Sequence, residues 1–189
     1  MKKILLIAAV SLFGMAAFAQ PKFAHVSFNE LVQLMPEADQ ARATINEAQK
    51  NAQSTYQDMV SEFNDKYSKY QQNVNNYTQA TRKAKEDELT EIQRRIQEFQ
   101  QNVQGELQEQ QEQLFAPIYK KAQDKVDELA KKGGYIYVID VNSVLYIDPA
   151  QSVDLTATAR KELGIPEGRT LETLQQELQA KAQAEANQK

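Results

Sequence analysis

The chain has 189 residues, 6 Gly and 5 Pro, no Cys or Trp, 41% hydrophobic residues and a formal charge of −4. Scarce Gly and Pro beside abundant Gln, Ala, Glu and Lys favour long helices over many short strands. The missing cysteine excludes a disulfide framework, and the acidic balance argues against general nucleic-acid binding.

Residues 1–19 read as a secretory signal peptide. Lys2 and Lys3 precede an apolar run, Ile4 to Phe13, and Ala17 and Ala19 supply the small residues of a cleavage site between Ala19 and Gln20. A membrane anchor would need a longer apolar stretch. No Cys follows the run, which excludes lipoprotein anchoring. Cleavage removes two lysines and takes the charge from −4 to −6.

Residues 20–35 carry a strand and a short helix. Ala24, Val26 and Phe28 alternate with Phe23 and His25, which puts the two sets on opposite faces. Asn29 suits the cap of a helix over Glu30 to Met35.

Residues 36–132 form one long helical stretch with a single break. Pro36 suits a helix start, and Lys131-Lys132-Gly133-Gly134 suits an end. Apolar residues recur at steps of three and four in a narrow stripe, as in a coiled-coil seam. Folded back as a hairpin, one register places Ala41 opposite Ile118, Ile45 opposite Leu114, Phe63 opposite Ile96 and Tyr70 opposite Leu89. That register puts the turn near Gln79 and Ala80, within a polar stretch at 76–82. Each arm is then roughly 60–70 Å long. A single unbroken helix in a parallel oligomer is the alternative. Gly105 weakens the second arm, and Pro117 predicts a kink near residue 113.

Residues 133–164 return to strand character. Tyr135 to Ile139 and Val144 to Ile147 read as two strands of a hairpin joined at Asp140 to Ser143, and Asp154 caps a short helix ending at Leu163. Residues 165–189 are a polar Gln/Ala-rich tail with some helical period at Leu171, Leu174 and Leu178. Folding the arm back brings the terminal strands together. Three strands are too few for an independent core, so several chains are expected to pool them into one body from which the arms project. This reasoning leaves the number of chains open.

Catalytic chemistry finds little support. His25 is the only histidine, so no His-based metal cluster or triad is available. Asp140, Asp148 and Asp154 sit where turns and caps ordinarily use Asp. No Gly-rich phosphate loop is present, and no metal or cofactor is expected.

The segments Gly134 to Asp140, Asn142 to Pro149 and Asp154 to Thr156 resemble the C-terminal signature of the Skp/OmpH family of periplasmic chaperones. Phe115-Ala116-Pro117-Ile118 is similar to that family's proline-bearing segment near the base of the second arm. Phe23 to Phe28 and Met35 to Ala38 are similar to its opening strand and helix start. The resemblance covers residues 22 to about 164. It implies an α+β, mainly α fold, with a coiled-coil hairpin arm projecting from a small β-body, and a jellyfish-like homotrimer. It further implies a periplasmic, ATP-independent holdase that binds unfolded outer-membrane β-barrel proteins and prevents their aggregation, with no enzymatic activity.

On that reading Val26, Phe28, Tyr137, Val138, Val144 and Tyr146 are candidates for the trimer body. Met59, Val74 and Tyr77 are candidates for client contact, Met because its thioether adapts to varied partners. The same three residues also suit an ordinary seam. Arg82, Lys83 and Lys85 form a small basic cluster that would steer acidic segments, although Glu86, Asp87 and Glu88 follow it. Two features depart from the family: the mature chain is acidic where members are often basic, and the tail beyond Pro166 lies outside the shared core. The first bears on electrostatic capture of clients, and contact with lipid or lipopolysaccharide stays open. A structural or assembly coiled coil of the envelope, bound to one fixed partner, is the alternative function.

Overall fold

The computed structural model describes residues 21–187, so the signal peptide and its cleavage site lie outside the described residues. The elements in order are β1 (Lys22–Val26), α1 (Phe28–Leu34), α2 (Pro36–Asn73), a 3-10 turn (Val74–Asn76), α3 (Gln79–Gly133), β2 (Tyr135–Asp140), a 3-10 turn (Val141–Ser143), β3 (Ser152–Asp154), α4 (Thr156–Glu162) and α5 (Leu171–Ala186). The fold is mainly α, with a long helical hairpin and one small sheet.

β1 is the central strand and pairs in parallel with β2 on one edge and β3 on the other. Parallel neighbours need a long crossover, and the whole α2–α3 hairpin supplies the one between β1 and β2. Ala24 and Val26 point from β1 into the core with Leu31, Leu34 and Met35 of the first helical segment. Ala38, Ala41, Ile118 and Ala122 close this core at the arm's root, and Ala159, Leu163, Ile165 and Leu174 complete it. His25 packs within the sheet, its Nδ1 2.8 Å from Ser152 Oγ.

The expected hairpin between Tyr135–Ile139 and Val144–Ile147 does not form: residues 144–147 are irregular, and the third strand is Ser152–Asp154. Two Asp turns explain the rerouting. Asp140 Oδ1 accepts the Asn142 N–H at 3.2 Å, and Asp148 Oδ1 accepts that of Ala150 at 2.9 Å. These turns carry the chain across to the free edge of β1 instead of back along β2. Among the described residues Val144–Ile147 pairs with no strand, and strand preference depends on such a partner.

The arm turns earlier than Gln79. Thr78 is extended (φ −63°, ψ 160°), and its Oγ1 accepts the Thr81 N–H at 3.1 Å, so the cap starts α3 one residue later. The register shifts accordingly. At the root Lys121 pairs with Glu37, one place from the Ala122 that the single register sets opposite. Farther out Arg95 reaches Glu62 at 2.8 Å where Gln97 was due, and nearer the tip Glu88 meets Lys66 where Gln93 was due. α3 runs from Gln79 to Gly133 with Pro117 inside it. It ends as its sequence requires, with Gly134 left-handed at φ 68° and its N–H bonded to Lys131 O at 3.3 Å. Ser27, not Asn29, stands at the N-cap position of α1; Asn29 Oδ1 instead accepts from Gln33 at 3.0 Å.

Candidate functional site

The arm's outer half is a two-helix ribbon whose apolar seam is one side chain wide. Leu89 and Ile92 are buried, while Met59, Val60, Phe63 and Tyr70 are half-buried. At the tip, Val74 and Tyr77 lie together in the turn, and Tyr77 packs on Tyr70 with ring centroids 6.2 Å apart. The Tyr70 hydroxyl donates to Glu86 Oε1 at 2.6 Å, and that carboxylate raises the phenol above its ordinary value. Met59 is 15 residues before Val74, about 22 Å down the helix. The tip candidates therefore form one group and Met59 stands apart.

The basic cluster is internally compensated. Arg82 donates to the Val74 carbonyl at 3.1 Å and ties the turn to α3. Lys83 meets both Asp87 oxygens at 3.1 Å, and Lys85 meets Glu88 at 2.8 Å. Glu88 also accepts from Lys66; the two ammonium groups, Lys66 first, hold its carboxyl at about 2 against an ordinary 4.5. The tip is thus a lattice of exposed ion pairs, not an open cationic patch.

The body presents a different surface. Val26 belongs to the chain's own core, Phe28 packs toward Tyr119 at 6.3 Å, and Val138 lies against the core. Tyr137 is 63% exposed although it stacks on Phe23 at 6.2 Å, and Tyr146 is 79% exposed. Val144 and Tyr146 line a shallow pocket of about 160 Å³ with Phe23, His25 and Ile139. Sequence reasoning passed over Leu145, Ile136 and Val153, which are all exposed; Leu145 is fully so, at 107%. Their signal was available: Leu145 lies between two candidates, and Ile136 neighbours a third. It also passed over a polar clamp at the arm's root, in which Arg160 pairs with Glu30 and donates to the Arg169 carbonyl, and Arg169 donates to Asp39 at 2.6 Å.

Asp140, Asp148 and Asp154 each accept a backbone N–H two residues on, which gives all three a role in turns and caps. Among the described residues no group of His, Cys, Asp and Glu is placed to hold a metal, and no helix is long and apolar enough to cross a membrane.

The family description "Outer membrane protein (OmpH-like)" fits residues 22–163. The chain is 28% identical over 169 residues to the chaperone protein Skp of Yersinia enterocolitica, covering 86% of this chain and 99% of that one. A solved structure of an OmpH-like outer membrane chaperone from Caulobacter crescentus matches with a TM-score of 0.67 at 13% identity, over 77% of this chain and 85% of that one. That last match is a likeness of fold. The family match and the Yersinia relative, itself named a chaperone, point to the same family. The chain belongs to the OmpH-like outer membrane protein family.

Proposed function

We propose that this protein is an ATP-independent periplasmic holdase that takes up unfolded outer-membrane β-barrel proteins between the arms of a homotrimer. One observation carries the reading. The chain spends its apolar core on the sheet and the arm root, leaves the sheet side exposed at Tyr137, Leu145 and Tyr146, and sends out an arm with a seam one side chain wide. Exposed apolar residues gathered on one small body mark a surface that another chain covers. Long arms with half-buried apolar and paired charged groups suit many weak contacts over one tight site. The first 19 residues serve as a leader cleaved before Gln20. The test is light scattering on the chain lacking residues 1–19, alone and with a urea-unfolded outer-membrane β-barrel protein. A trimer mass and a soluble complex of defined mass are expected. A trimer that leaves the client to aggregate would refute the holdase reading.

A further inference from the structure

The tail helix α5 lies beyond the family-matched residues 22–163, yet it is docked. Its first half is fixed to the arm root: Leu174 is 4% exposed within the core, and Arg169, just before the helix, is held by Asp39. Past Leu174 the helix stands off, and Leu178 is 42% exposed. Between α5 and the two arm helices runs a cleft of about 1450 Å³. Ile45 and Leu107 line it from the arm and Leu178 from the tail, with the carboxamides of Gln49, Gln108 and Gln111 between them.

We infer that this cleft is a polypeptide-binding subsite for a short, extended, uncharged client segment; this rests on the holdase reading. Three features select that occupant. The charged side chains around the cleft carry both signs, three cations against four carboxylates, and Asp39 and Arg42 pair with each other at 2.6 Å, so the net of −1 gives no strong field to select a charged ligand. Carboxamides both donate and accept, which matches the unpaired peptide groups of an extended chain and is wasted on an acyl chain. Apolar walls on opposite sides receive the alternating side chains of such a segment. The lining stretch Leu174–Ala182 is about 12 Å long, room for roughly four extended residues. A contact so short is weak and adaptable, and it is too small for a stable interface between copies.

The test places a photo-crosslinking amino acid at Leu178, at Gln108, or at Met59 on the arm, in the chain lacking residues 1–19. Each variant is irradiated with a urea-unfolded outer-membrane β-barrel protein. Client adducts at Leu178 and Gln108, competed by unlabelled client, are expected. Leu178→Asp should weaken client binding about tenfold with the oligomer mass unchanged. Adducts at Met59 alone, or unaltered binding by Leu178→Asp, would overturn the inference and leave the holdase reading intact. Adducts at Leu178 that join only two copies of this chain would overturn it in favour of self-association. An unmodified chain that holds no client would remove the holdase reading and the subsite with it.

Discussion

Gly105 sits inside α3 where an added Cβ would meet no atom within 4 Å. Its backbone freedom is lost on folding with no packing gained in return. Gly105→Ala should therefore stabilise the protein by about 0.5–1 kcal/mol, read as a higher urea midpoint. Gly134 has equally open space but a φ of 68°, so Gly134→Ala should destabilise by about 1 kcal/mol in the same assay. Glu88 gives a pH prediction. Its carboxyl is lowered in the folded chain, so its contribution is present above the ordinary 4.5 and is lost as pH falls toward about 2. Glu88→Gln should therefore be less stable than the parent near pH 6 and converge with it near pH 2. Lys66 and Glu88 are each about a third exposed, which limits the difference to under about 1 kcal/mol.

At the scale of elements, the proposed holdase gives the arm and the body separable duties. Among the described residues, the core that joins strands to helices has Ala41 and Ile118 as its outermost buried members on the arm, with Leu114 and Phe115 packed against it. Deleting Phe63 to Ile96 should leave the oligomer intact and abolish client holding; monomers in light scattering after the deletion would assign assembly to the arms. The start of α3 at the turn is capped by one hydroxyl. Thr78→Ala removes the cap of α3 at a loss of about 1 kcal/mol, and faster hydrogen exchange confined to the first turn of that helix should report it.

For the whole molecule, the surface on which the proposed trimer depends is the exposed face of the body. Tyr137→Asp adds a carboxylate where a second chain would bury it, which costs several kcal/mol when unpaired. The variant should fall from trimer to monomer while its helix content by circular dichroism stays close to the parent's. Val144→Asp is expected to do the same from the neighbouring pocket. An unchanged mass in both variants would move the trimer contact elsewhere. Tail and arm root are also coupled at this scale. Lys125 near the end of α3 bonds Glu128 at 2.6 Å and Glu162 of α4 at 3.2 Å, which raises its ammonium above the ordinary value and ties the arm to the segment leading into the tail.

The period of the apolar residues was enough to show two long helices, a narrow seam and the alternation of Ala24 and Val26, because those patterns are local and repeat. The end of α3 at Gly134 was legible for the same reason, since it depends on residue types within a few positions; Asp154 was placed one residue off, because Leu155 stands at the N-cap of α4 and Asp154 Oδ1 accepts the Thr156 N–H at 2.8 Å from just before it. Strand order was not. Val144–Ile147 has the composition of a strand, but pairing requires a free edge at the right distance, and two Asp turns deliver Ser152–Asp154 to that edge instead. The arm register was legible at the root and drifted toward the tip, since a heptad pattern fits several registers and the Thr78 cap chooses among them. The tail's docking was hidden altogether: Arg169 and Asp39, and Arg160 and Glu30, are each 130 residues apart, and only the folded chain brings those charges together at the arm root.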